Sequence, residues 1–404
     1  MSNEKNISFP PWLEPLTNEI EATNFPAVKQ RELDEIGKRV LCDPLTAQRI
    51  VTVSKNGIEL NGNDDNKDLI LSNWGHTLPS AIAVLMPPPL SISDLSDKRA
   101  RRKYQEKLLK SQSQWPDLAT LSDTAFLLCA DHKPPEYGLP NQLYRGNNSG
   151  SLISWDDVPY LIEQLTKIVS HKVAPAWLQA KPALKEALAT IIYESFKNTH
   201  DHARENIDGS DPQTSVRAVY ARYYEMSDVL KNIGSDDTKK ITPVERYVRG
   251  FAPRDAKPGV RFPEQMSIDG FLELSVLDSG PGMAAKWLKR SVEDISPKEQ
   301  LTAILHCFGK GRSTTGAPGR GFGLWKVLLS LRALHGFISV RTNSIHAYRQ
   351  FGYLQNTGLE EVGGGSKAPK EQLWDWKREL SPEPSKYPHV KGTVVSFLLP
   401  MGKV

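Results

Sequence analysis

The segment FLELSVLDSGPG, Phe271 to Gly282, constrains the fold of this chain more than any other. Leu272, Leu274 and Val276 recur at every second position, the period of a half-buried strand. The strand then stops at Asp278, which opens an Asp-x-Gly-x-Gly turn. A carboxylate at the end of a buried strand can accept a hydrogen bond from an amino group. Gly280 and Gly282 let the backbone turn sharply and lie close to a flat ligand. A tight turn without a ligand needs the same residues, so the segment gains meaning only beside others.

Three other segments supply that context. ESFKNTHDHA, Glu194 to Ala203, lies in a helical pattern opened by Pro182. Its Glu194, Asn198 and Asp201 are four and three residues apart and stack on one face. An amide oxygen there suits Mg²⁺, which takes hard oxygen ligands and keeps several waters. The carboxylate one turn earlier could orient or deprotonate a water aimed at a phosphate. GAPGRGFGL sets Gly316, Gly319, Gly321 and Gly323 just before a helix, so free amides and the positive helix end face whatever lies above. Arg312, Ser313 and Thr314 stand immediately upstream as further donors. The loop has neither the Gly-x4-Gly-Lys spacing of a Walker loop nor the leading strand of a dinucleotide fingerprint. GTVVSFLLP, Gly392 to Pro400, reads as a closing strand.

In order and spacing these four segments resemble the GHKL ATPase family: gyrase B-type topoisomerases, Hsp-ninety chaperones, histidine kinases and mismatch-repair ATPases. The resemblance covers residues from about 180 to 400. It implies a Bergerat-type (HATPase) domain, a two-layer α/β sandwich with helices on one face of a mixed, mainly antiparallel sheet. Glu194 resembles the family's general base and Asn198 its Mg²⁺ ligand. Asp201 resembles the acid that follows in the gyrase-like branch. Asp278 resembles the adenine-reading aspartate, with Gly280 and Gly282 as its turn and Met283 after it. Gly319, Arg320, Gly321, Phe322, Gly323 and Leu324 resemble the phosphate-covering lid, and Thr393 the threonine that supports the aspartate. The implied cofactors are ATP and Mg²⁺. The implied activity is ATP hydrolysis driving a conformational switch on a protein partner or a second copy. Phosphotransfer to a partner, as in anti-sigma or sensor kinases, and ATP binding without hydrolysis are the alternatives. The loop and following helix are closest to the sensor-kinase type, yet His171 has no following glutamate to make it a phosphoacceptor. The cation for a γ-phosphate is left to Lys310, Arg312 or a partner.

At 404 residues the chain is long for one core. Its texture changes near Trp155. The expectation is an N-terminal α/β accessory domain over 1–155 and an ATP-binding domain over 156–404, with insertions at about 227–269 and 343–390. In the first part RIVTVS (Arg49 to Ser54) and TAFLLCA (Thr124 to Ala130) read as strands, and DKRARRKYQEKLLKSQ as a basic helix. That helix is read as a solvated face, with nucleic acid as the weaker alternative. A net charge of +4 is too mild to favour nucleic acid. The late insertion, with WDW at Trp374 to Trp376, reads as a surface excursion. His200 and His202 are two apart on a helix and point to different sides, which argues against a metal pair. Three scattered cysteines and no apolar run long enough for a bilayer fit a cytoplasmic protein.

Overall fold

The computed structural model describes residues 40–53, 77–86, 98–112, 123–146, 150–170, 182–233, 241–251, 268–311, 321–351, 359–362, 366–369, 373–378, 381 and 383–402. Its centre is a seven-stranded sheet. The strands are β1 (Thr124–Ala130), β2 (Val216–Glu225), β3 (Ile268–Asp278), β4 (Phe337–Asn343), β5 (Ile345–Gln350), β6 (Trp374–Asp375) and β7 (Val390–Gly402). They lie side by side in the order β1-β2-β3-β7-β4-β5-β6, and every ladder is antiparallel. The longest strands, β2, β3 and β7, are rich in β-branched and aromatic residues and hold the middle of the sheet.

Both faces of this sheet are covered by helices, so the architecture has three layers rather than two. On the front, α4 (Val158–Val169), α5 (Pro182–His202) and α10 (Gly323–Ala333) pack on Leu272, Leu274 and Val276. On the back, α1 (Cys42–Val53), α2 (Leu78–Leu85) and α3 (Lys98–Ser111) close over Phe271, Leu277, Val394 and Leu398. β3 is therefore buried on both sides from Gly270 to Asp278, not half-buried. The alternation of leucines marks its front face correctly, and the second helical layer makes the intervening positions interior as well.

Those intervening positions include a carboxylate. Glu273 is fully buried and accepts hydrogen bonds from the Tyr224 hydroxyl (2.6 Å), the Leu41 amide (3.0 Å) and the Ser275 hydroxyl (3.0 Å). Burial pushes its pKa up to about 7 against the pull of those donors. Next to it Asp43 takes the Tyr220 hydroxyl at 2.8 Å and lies 3.4 Å from Arg222.

Three expectations are corrected. RIVTVS is not a strand, because Arg49–Val53 is the end of α1, whose residues are all buried except Thr52. The boundary expected at 155 does not separate two bodies, since β1 pairs along its whole length with β2 in the central sheet. α1 also bonds to that sheet. Gln48 Nε2 donates to the carbonyls of Arg341 (3.0 Å) and Gly392 (3.3 Å), and the Lys391 amide donates to Thr52 Oγ1 (3.0 Å). The described part of 343–390 belongs to the fold rather than to a surface excursion. β5 forms a hairpin with β4, and Trp374 and Trp376 are only 5% and 6% exposed. The earlier stretch 227–269 also contributes elements, α6 (Met226–Ile233) and α7 (Pro243–Arg249), the latter capped by Thr242 and Glu245. Between β3 and α10 lie α8 (Met283–Leu288) and α9 (Pro297–Cys307). Among the described residues no helix is long and apolar enough to cross a membrane.

Candidate functional site

A cavity of about 390 Å³ opens between α5, the turn after β3, the start of α10 and the bulged start of β7. It brings together Glu194, Asn198, Asp201, Asp278, Gly282, Met283, Gly321, Phe322, Gly323, Leu324 and Thr393, although these come from four distant parts of the chain. Its size suits a small ligand. Arg312, Ser313, Thr314, Gly319 and Arg320 lie outside the described residues.

Register places the floor. Asp278 is opposite Arg217 on β2 and opposite Thr393 on β7, so it sits at the end of three adjacent strands. Gly280 is not in the cavity lining, and its amide donates to Asp278 Oδ1 at 2.9 Å. Asp278 is 6% exposed. Burial pushes its pKa up to about 6, opposed by the Gly280 and Thr393 amides and by the charge of Arg217. Arg217 is itself held by Asp131 (2.9 Å and 2.5 Å) and by the Tyr144 hydroxyl (2.6 Å). Burial would raise the Asp131 pKa, but Arg217 overrides it and keeps the carboxyl below its ordinary value.

Thr393 joins a hydroxyl pair, with its Oγ1 3.0 Å from Thr342 Oγ1, and Thr342 also accepts the Met283 amide at 3.1 Å. That ties the start of β7 to the start of α8. Two glycines here stand where a Cβ would meet a close neighbour. At Gly392, where φ is +74°, a Cβ would stand 1.9 Å from the Asp278 carbonyl oxygen. At Gly323 a Cβ would stand 2.6 Å from Glu194 Oε2. The glycine that opens α10 thus lets the Glu194 carboxylate come up against the helix N-terminus.

On α5, the buried positions Leu188, Ile191, Ile192 and Phe196 fix the helix on the sheet and turn Glu194 and Asn198 to the cavity. Asn198 Nδ2 donates to the Glu194 carbonyl at 2.8 Å, which directs its Oδ1 away from the backbone. Asp201 pairs with Lys197 at 2.5 Å. His200 turns the other way, with Nδ1 3.2 Å from the Tyr144 hydroxyl. Burial, and then Arg217 and Arg204, depress its pKa to about 4. Among the described residues no group of three or more His, Cys, Asp or Glu could hold a metal.

Sequence reasoning misses several lining residues. Trp287 and Val395 add apolar wall to the cavity, and Cys307, whose thiol burial pushes up to about 12, lines the same space. Lys326, one turn into α10, brings Nζ to 3.8 Å from Glu194 Oε1. Its spacing from Gly323 on a helix is the signal that could reveal it. Lys310, one of the cations offered for a γ-phosphate, has Nζ over the Trp325 ring, 5.1 Å from its centroid. Compared with known proteins, the chain matches no family model, no curated protein and no solved structure.

Proposed function

We propose that this chain is a Mg²⁺-dependent ATP-binding protein of the GHKL type, on a Bergerat-type sandwich whose second sheet face is covered by a further helical layer, that hydrolyses ATP and acts as a nucleotide-driven switch on a partner. The observation that carries the reading is the single cavity in which an acid-and-amide helix face, a buried strand-end aspartate and a glycine-opened helix N-terminus meet. Each wall has a chemical task. Asp278, ionised above pH about 6, accepts from the amino group of adenine, and Val276, Val395, Met283 and Trp287 give the base an apolar slot. The first amides of α10, with the Gly321–Gly323 backbone, face the phosphates.

The donor set fits Mg²⁺ held mainly by phosphate and water. The protein's share is one neutral oxygen, Asn198 Oδ1, with its NH₂ already committed to the Glu194 carbonyl. Bound there, the ion would supply charge neutralisation for the phosphates. Glu194 accepts the proton of the attacking water, and its closeness to Gly323 places that proton acceptor beside the phosphate-facing amides.

Calorimetric titration tests the assignment. Asp278→Asn should lose ATP affinity, and undiminished affinity excludes the adenine role. Glu194→Ala should keep binding and lose phosphate release, and surviving turnover excludes Glu194 as the base. Tight binding with no turnover in the unmodified protein favours a binding module, and label appearing on a partner protein favours a kinase.

A further inference from the structure

Resting on the nucleotide reading, we propose that Lys326 recognises the terminal phosphate of a nucleoside triphosphate and, in moving onto it, releases Glu194 to act as the base. Two other lysines of the cavity lining, Lys197 and Lys286, and Lys310 outside it have other partners. Lys197 is held by Asp201 at 2.5 Å. Lys286 faces Glu205 at 3.6 Å and the Asn206 carbonyl at 3.4 Å. Lys310 lies over the Trp325 ring. Lys326 is the cavity lysine whose partner is the proposed base itself.

The pair is built to be exchanged. Its N–O distance is 3.8 Å, beyond a hydrogen bond, and the lysine side chain is 56% exposed while Glu194 is 17% exposed. A loose, solvent-screened pair is weak, and a phosphate with two charges and three acceptor oxygens outcompetes one carboxylate for the ammonium. Lys326 also sits in the first turn of α10, whose glycine start faces the same space, so an anion that reaches the helix N-terminus is within reach of its Nζ.

The step then balances as follows. The γ-phosphate takes the Lys326 ammonium, and the Glu194 carboxylate is left to accept a hydrogen bond from water. The water oxygen bonds to the γ-phosphorus, its proton passes to Glu194, and the bond from phosphorus to the bridging oxygen breaks with its electron pair leaving on ADP. With ADP alone, Lys326 stays on Glu194 and the base stays engaged.

The test compares ADP with a non-hydrolysable ATP analogue, each with Mg²⁺, by calorimetry on the full chain and on Lys326→Met and Lys326→Arg. The unmodified protein should prefer the triphosphate. Lys326→Met should lose that preference by roughly ten- to a hundredfold, the range for a charge-assisted hydrogen bond, while its ADP affinity is unchanged. Lys326→Arg should keep most of the preference. Equal weakening for both nucleotides, or no change for either, overturns the role of Lys326. If the unmodified protein binds neither nucleotide, the nucleotide reading itself falls, and this proposal with it.

Discussion

Replacing Asp278 by asparagine should make the free protein more stable while removing the nucleotide affinity proposed for it. The carboxyl is 6% exposed, and burial carries its pKa from 3.8 to about 6 despite the Gly280 and Thr393 amides and Arg217. The folded state therefore binds this proton more tightly than the unfolded chain does. The stability this confers is fully present below pH 3.8 and is lost as pH rises through 6. At about 1.4 kcal/mol per pH unit, the charged carboxylate leaves the fold weaker by roughly 3 kcal/mol above pH 6. Asparagine never ionises, and it forfeits one carboxylate oxygen as acceptor for the neighbouring amides, about 1 kcal/mol. The net expectation is a gain of about 2 kcal/mol at pH 8 that turns into a small loss near pH 4. Urea denaturation at both pH values measures it, with ATP titration alongside. A variant less stable than the parent at pH 8, or one equally stabilised at pH 4, would show that the buried charge is not what strains the site. A gain in stability paired with lost binding is the trade-off expected where function needs an ionised group in an apolar place.

Other outcomes follow from the same geometry. Glu194→Gln should reduce phosphate release by about 10²- to 10⁴-fold while calorimetry shows ATP binding retained. The two crowded glycines should separate in character. Gly323→Ala pushes the movable end of Glu194 aside, so turnover falls by up to about a hundredfold with little change in melting temperature. Gly392→Ala drives a Cβ into fixed backbone at a positive φ and should destabilise the fold by about 3 kcal/mol or more, seen in denaturant melts. Glu273, raised from 4.5 to about 7, contributes stability that is present below pH 4.5 and lost as pH climbs through 7. Glu273→Gln should flatten the fall in melting temperature between about pH 5 and 8. A curve parallel to the parent's would remove Glu273 as its source.

Some of this was legible in the residues and some was not, for physical reasons. β3 and α5 declare themselves because period-two leucines and a long helical face are local patterns. The turn glycines and the helix-opening loop are legible because few other residues can sit there. α1 hides because a helix buried on nearly every side has no polar stripe, and its β-branched IVTV run then imitates a strand. β6 hides because Asp375 looks like a surface residue. In the fold its carboxylate is satisfied by the amides of Lys377, Arg378 and Ser385. In the site, the four motifs give the walls, but the Arg217 platform under Asp278 depends on the β2–β3 register, and register between distant strands is set by tertiary packing.

The hydrogen bonds from α1 to the start of β7 bear on what can be cut away. A fragment trimmed to the motif-bearing part, from about 156 onward, would look complete by its signature residues. It would nonetheless lose β1, leaving β2 as a raw edge open to pairing with other chains. It would also lose the Gln48 amide that holds the Gly392 carbonyl and the Thr52 hydroxyl that receives the Lys391 amide, two anchors of the peptide leading into Thr393. The smallest piece able to keep the cavity floor in shape therefore reaches back at least to residue 40, and an expression boundary drawn from the motifs alone would sever the site from its own foundation.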